Sequence, residues 1–259
     1  MLNLEQIEKQ FPKKLQAYKK NMLREYLQYK IITAIFDTKY SHKLSFLGGT
    51  ALRIIHNNQR FSEDLDFDNF GLTEAEFKDI IKTIKKEMEI EGYKTEIRTV
   101  FKGAYRCYFK IPEILFDNQI SPFKQEKILI QIDTVPHNFK YTPDKVILNK
   151  FDVFTQINVT PLDILLAQKL YTAFNRKRSK GRDFFDIIFL FSLNIKPNYG
   201  YLKKNINVNN KAELKNFINK ESKKTNFKQL AKDVEPFLFS PSDKKRILLF
   251  KEYINTKLA

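Results

Sequence analysis

Phe46-Leu47-Gly48-Gly49-Thr50 and, further on, Ser62-Glu63-Asp64-Leu65-Asp66 decide how this chain reads. The apolar run Leu44 to Leu47 ends at a glycine pair, which is the pattern of a strand entering a turn. Glycine accepts positive φ and lets another group approach the backbone closely. Thr50 to His56 then reads as a short helix, with Thr50 as its cap. A helix that starts just after such a turn offers unpaired N–H groups to an anion. Gly48, Gly49 and Thr50 therefore outline a phosphate cradle, with a plain tight turn as the competing reading. Neither Gly-x-x-x-x-Gly-Lys nor Gly-x-Gly-x-x-Gly occurs here, so this is neither a P-loop nor a dinucleotide fingerprint. Ser62 could add a hydroxyl to a phosphate or cap locally.

Leu65 to Asp68 alternates apolar and acidic residues, as a half-buried strand does. A period of two puts the Asp64 and Asp66 carboxylates on one face. Like charges that close repel, and burying them unpaired is costly. A divalent cation relieves both costs, and an all-oxygen site suits Mg²⁺ or Mn²⁺. Asp133 is the candidate third carboxylate. It ends the run Lys127 to Val135, where Ile128, Ile130 and Ile132 share one face and Leu129, Gln131 and Asp133 the other. The two strands would have to be neighbours. Asp64, Asp66 and Asp68 could also open a calcium loop, but its sixth and twelfth positions are Asn69 and Ala75 instead of Gly and Glu. A solvated acidic turn is the alternative for Asp64 and Asp66, and the preferred reading for Asp68.

The chain has 259 residues, 42% of them hydrophobic, including 24 Phe and 12 Tyr. That supplies one sizeable core or two modest domains and excludes a disordered chain. A net charge of +16 favours a polyanionic partner such as nucleic acid, against a compositional bias toward Lys, Asn and Ile. Cys107 is the single cysteine, so neither an internal disulfide nor a cysteine zinc site is open to the chain. It lies in an alternating stretch and reads as a packed thiol. His42, His56 and His137 are too scattered for a metal pair or a triad. The polar start Met1 to Gln6 lacks a signal-peptide pattern, and no apolar run reaches the roughly 20 residues of a membrane helix. A cytoplasmic protein without a membrane partner is expected.

Residues 4–38 read as helical, broken near Pro12, and Thr73 to Ile90 as a helix opened by a Thr73/Glu76 capping box. Residues 93–100 and 104–111 read as paired strands. From Pro161 onward helices dominate: 161–176, 182–193, about 211–221, about 227–234 and 241–258. The expected layout is α+β: a mixed-sheet domain over residues 1–150 packed on a helical domain over 151–259, with a cleft between them. The helical half carries Lys169, Arg176, Lys177, Arg178, Lys180 and Arg182. These make either a solvated basic face or a clamp for triphosphate and RNA backbone. Asp183 and Asp186, three apart, would orient those cations, or Asp186 would act directly.

Together these pieces resemble the AbiEii/AbiGii family of nucleotidyltransferase-like toxins, within the DNA polymerase β-type nucleotidyltransferase superfamily. The resemblance rests on Phe46-Leu47-Gly48-Gly49-Thr50-Ala51-Leu52-Arg53 and Arg60-Phe61-Ser62-Glu63-Asp64-Leu65-Asp66-Phe67, then Ala167-Gln168-Lys169-Leu170 and Gly181-Arg182-Asp183-Phe184-Phe185-Asp186. It implies a nucleotidyltransferase fold, metal on Asp64 and Asp66, triphosphate on Ser62 and the glycine pair, and phosphate contact by Lys169, with Arg182 beside it. It implies a toxin with a cognate antitoxin, and some relatives add nucleotides to transfer RNA. The last 65 residues match no named motif.

The expected chemistry is attack of an RNA 3′-OH, most simply that of a tRNA, on the α-phosphate of an NTP, with release of pyrophosphate. Asp64, Asp66 and Asp133 would hold the metal, and Lys169 would offset phosphate charge, with Asp186 as a further catalytic candidate. Arg176, Lys177, Arg178 and Lys180 would contact RNA. Two competitors remain: a kinase-like use of the same site on the γ-phosphate, and a non-enzymatic basic RNA-binding protein.

Overall fold

The computed structural model describes residues 1–259. The chain divides into two compact units, Met1–Ala51 with Ser62–Val159, and Leu52–Phe61 with Thr160–Ala259.

Seven strands build the first unit: β1 (Leu44–Leu47), β2 (Leu65–Asn69), β3 (Glu96–Lys102), β4 (Ala104–Ile111), β5 (Ile128–Pro136), β6 (Asp144–Lys150) and β7 (Val153–Val159). They form one mixed sheet in the order β3-β4-β5-β2-β1-β7-β6. β2 and β5 run parallel, as do β1 and β7, and the other neighbours are antiparallel. The sheet therefore extends past residue 150 and closes on a hairpin of β6 and β7.

Alternation decides which face is core. Cys107, Phe109 and Ile111 on β4 pair in register with Ile132, Ile130 and Ile128 on β5, and all six are buried. Phe46 on β1 pairs with Phe67 on β2, their ring centroids 5.4 Å apart. This apolar face is covered by helices. After α1 (Leu4–Glu8), Pro12 halts the helix and a single 3₁₀ turn leads into α2 (Lys19–Phe36). α2 packs on α4 (Glu74–Ile90) and on β7, and buries residues all round, so it runs through the core instead of along its surface. Between them in the chain lies α3 (Gly48–His56), and a short α5 (Ile114–Asp117) follows β4. α4 opens on the expected capping box: the Glu76 amide donates to Thr73 Oγ1 and the Thr73 amide to Glu76 Oε2.

The second unit is helical: α6 (Leu162–Asn175), α7 (Gly181–Ser192), α8 (Tyr199–Ile206), α9 (Lys211–Ser222), α10 (Phe227–Val234), α11 (Lys245–Leu248) and α12 (Phe250–Lys257). Its centre is a cluster of edge-on and stacked rings from Phe174, Phe184, Phe227 and Phe250. α7 starts directly against α10, where the Gly181 amide donates to Asp233 Oδ2 at 2.8 Å. No helix is long and apolar enough to cross a membrane.

Cys107 is fully buried, and burial, aided by the Asp133 charge, pushes its thiol up to about 12. The native protein should therefore resist iodoacetamide at mildly alkaline pH and be alkylated stoichiometrically only after denaturation, as read by intact mass.

Candidate active site

Three neighbouring strands bring the acidic residues together. Leu47 on β1 pairs with Asp66 on β2, Asp66 pairs with Asp133 on β5, and Asp133 pairs with Arg106 on β4. These four residues form one row across the sheet. Leu65 and Phe67 on β2, and Ile132 on β5, are buried on the opposite face, so Asp66 and Asp133 must point away from that core. The strand adjacency that a third carboxylate requires is present.

Gly48 fits the row from the end of β1. Its φ is +82°, and a Cβ built there would lie 2.5 Å from Asp66 Oδ2. The Asp66 carboxylate occupies the space that any other residue's side chain would need. α3 begins at Gly48 itself. Positive φ turns the strand straight into the helix, which leaves Thr50 inside the first turn and not at its cap. Thr50, fully buried, donates its hydroxyl to the Asp64 carbonyl instead. The connector before β2 is gripped twice more: buried Gln28 on α2 donates its two amide hydrogens to the Ser62 and Glu63 carbonyls at 3.2 and 2.9 Å. Three consecutive carbonyls, of Ser62, Glu63 and Asp64, are thus held by side chains. Arg24 fixes the Glu63 carboxylate at 3.1 Å.

The donors available here are carboxylate oxygens on a face open beside a glycine, and these suit a hard divalent cation. Asp66 and Asp133 are register partners, and Asp64 immediately precedes β2. No three Asp, Glu, His or Cys side chains form a complete ligand set. Asp133 accepts from Arg106 Nε at 2.9 Å and from Gln131 Nε2 at 2.8 Å, and the Arg106 pKa is raised chiefly by that bond. Asp68 departs from its expected solvated place. It is buried, taking a 2.6 Å bond from the Tyr141 hydroxyl and lying 3.0 Å from His137 Nδ1. The stretch after β5 folds back over it.

The family model for the nucleotidyl transferase AbiEii toxin of type IV toxin–antitoxin systems matches residues 30–248. The chain belongs to this family of toxins. Two solved structures share the fold of this AbiEii-family nucleotidyltransferase. JHP933 from Helicobacter pylori is 16% identical, with a TM-score of 0.57 over 92% of this chain and 91% of its own. A candidate nucleotidyltransferase from H. pylori is 17% identical, with a TM-score of 0.54 over 92% and 95%. No curated protein matches the sequence significantly.

In the second unit of this AbiEii-family protein, the motif residues lie in a buried ion network. Arg60, only 2% exposed, forks onto Asp186 through Nε and Nη2 at 2.8 and 2.6 Å. Asn58 donates to the same carboxylate at 2.8 Å. Lys169 Nζ lies 2.9 Å from Asp186 and 3.0 Å from Asp183, and Arg176 reaches Asp183 at 3.2 Å. Burial would raise the Asp186 pKa, but Arg60 and Lys169 outweigh it and hold it below its ordinary value. Burial likewise opposes the Lys169 charge, while Asp186 and Asp183 raise its pKa. Any phosphate that Lys169 meets competes with two carboxylates. α6 ends at Asn175, so Lys169, Arg176 and Lys180 do not share one continuous helix face. Arg176, Lys177, Arg178 and Lys180 are exposed in the α6–α7 connection, and the Arg182 guanidinium lies 4.2 Å from the Phe237 ring centre.

Sequence reasoning did not single out Arg106, Gln28, Arg24 or Asn58. Arg106 and Gln28 left a faint mark, as polar positions set into an alternating strand and an apolar helix.

Gly48→Ala should lower nucleotidyl transfer on the order of 100-fold, because it displaces the Asp66 carboxylate. Gly71→Ala imposes similar backbone strain, at φ +85° with nothing within 4 Å, and should leave the rate near that of the parent. Equal losses in steady-state rate would contradict this account.

Asp186→Ala leaves Arg60 and Lys169 buried without their shared counter-charge, and should cost about 3–5 kcal/mol in urea unfolding. The Asp186 pKa is depressed, so its contribution is complete above its ordinary value of 3.8 and fades only as pH falls through the lower folded one. The difference between parent and variant should therefore be constant near neutrality and shrink in acid.

Proposed function

We propose that this AbiEii-family nucleotidyltransferase transfers a nucleoside monophosphate from an NTP to the 3′-OH of an RNA, with tRNA as the expected acceptor. The observation that carries the reading is the in-register pair of Asp66 and Asp133 beside the Gly48 turn. Asp64, Asp66 and Asp133 would hold divalent metal, Mg²⁺ or Mn²⁺. When bound, such a metal neutralises phosphate charge and lowers the pKa of the attacking hydroxyl.

The chain's own groups supply position. Gly48 and Gly49 bring no side chain to the start of α3 beside Asp66, and its first amides are the proposed contacts of the triphosphate, with Ser62 alongside. Gln28 and Thr50 fix the connector that carries Asp64, which lowers the reorganisation cost of the site. The acceptor oxygen attacks the α-phosphorus, the bond to the bridging oxygen breaks, and pyrophosphate leaves with that electron pair. In the second unit, Lys169 and Arg182 are the proposed phosphate contacts, and Arg176, Lys177, Arg178 and Lys180 the contacts to RNA backbone. Asp186 then acts through Arg60 and Lys169, as a positioning group. A cognate antitoxin is the expected partner, and growth arrest through altered tRNA the expected outcome.

Incubation with each α-labelled NTP, Mg²⁺ and total RNA should label a tRNA-sized band and release pyrophosphate. Asp66→Ala should lower both by at least about 1,000-fold, consistent with loss of a main electrostatic contributor. Release of nucleoside diphosphate, label in protein instead of RNA, or an Asp66→Ala variant as active as the parent would each sink the proposal.

A further inference from the structure

The wing of the sheet made by β3, β4 and β5 has one face built as core and one left open. Strand alternation sends Cys107, Phe109, Ile111, Ile128, Ile130 and Ile132 inward, and sends Arg98, Arg106, Tyr108, Lys110 and Gln131 to the opposite side. Arg98 is exposed, the Arg106 side chain is 40% exposed, and Tyr108, Lys110 and Gln131 are half-buried. The register lays these residues out as a grid. Arg98, Tyr108 and Gln131 form one cross-strand row, and Arg106, Asp133 and Asp66 the next. The Arg98 guanidinium lies 5.8 Å from the Tyr108 ring centre, and in the next row inward Arg106 holds Asp133. A polar path thus runs from the outermost strand to the carboxylates. The two acids on this face are both answered by cations: Glu96 by Lys127 at 2.5 Å and Asp133 by Arg106.

We propose that this open face seats the acceptor as a single-stranded polynucleotide, its phosphates along Arg98, Arg106 and Lys110 and a base on the Tyr108 ring. The proposal rests on the reading of the acceptor as RNA. Cations interleaved with an aromatic on a sheet are what an unpaired strand needs, since every base has a face to stack and every linkage a charge. The exposed apolar residues here are Leu129 and Val135, too few for a protein-binding patch. Continuity with the row of Asp66 and Asp133 points a 3′ end toward the carboxylates without a further turn of the strand.

The test uses the full chain and a fluorescein-labelled single-stranded RNA of mixed sequence, without NTP, read by anisotropy across a salt series. Arg98→Glu with Lys110→Glu should weaken binding at least tenfold and flatten the log K against log salt slope by about 0.7 per lost phosphate contact. Lys82→Glu with Lys85→Glu on α4 makes the same change in net charge and should bind like the parent. Tyr108→Ala should lose roughly tenfold, and Tyr108→Phe, which keeps the ring, should not. In turnover, the wing variants should raise the KM for RNA and leave that for NTP unchanged. Thermal unfolding midpoints matching the parent exclude misfolding. Equal losses from the wing and α4 charge swaps, or no loss from either, would overturn the proposal. If the parent labels RNA while the wing variants bind normally, this inference fails and the transferase reading stands. If wing variants lose RNA binding while no RNA is ever labelled, the wing assignment stands and the reaction reading fails.

Discussion

At the centre of the first unit, the Asp66 carboxylate fills the volume that a side chain on residue 48 would take. That one approach ties several parts of the structure together. It requires β1 and β2 to be neighbours with Leu47 opposite Asp66, and the observed register provides this. A slip by one residue would set Phe67 against the turn and expose the inward ring that packs on Phe46. It also requires the chain to leave β1 at positive φ, and α3 starts at that same residue. Packing on one side of the sheet thereby fixes chemistry on the other.

The parts visible in the sequence were those encoded locally. The glycine pair, the two-residue spacing of Asp64 and Asp66, the alternation that put Asp133 opposite Ile132, and the Thr73/Glu76 box all depend on near neighbours in the chain. Period two reveals which face a residue takes, but not which strand lies beside it. The insertion of β5 between β4 and β2, and the grip of Arg106 on Asp133, are therefore outcomes of pairing over long sequence distances. The hairpin of β6 and β7 escaped for a different reason. Its turn places Phe151 at φ +60°, where glycine or asparagine is the usual sign. The phenyl ring is held there by Phe11, Tyr26 and Tyr29, so tertiary packing offsets a local cost that sequence rules treat as prohibitive.

The two units handle buried charge differently. In the first, the acids stand on an open face, and their backbone is secured by neutral donors such as Gln28 and Thr50. In the second, Asp186 and Lys169 are both enclosed, and their cost is met by a bidentate arginine and a second carboxylate. Enclosure of that kind specifies geometry more than it adds stability. It holds Lys169 and Asp186 in one fixed geometry through Arg60 and Asp183. Family membership covers both units, since residues 30–248 span them. Gln28 and Arg24 lie just outside that match, so part of the support for the connector comes from chain that the family description does not include.

The spatial order of the row has a consequence during synthesis. Gly48 and Asp66 emerge early and can pair through β1 and β2 alone. Asp133 joins only after β3, β4 and the loop beyond them have been made, and β5 must then enter between two strands already formed. Such a late, non-local closure is slow compared with hairpin formation. A ribosome making this protein therefore carries an unfinished row for most of the first unit's translation, and the carboxylates meet only once the chain past Pro136 is free of the exit tunnel. Any activity that depends on the completed row is thereby withheld until the first unit has left the ribosome.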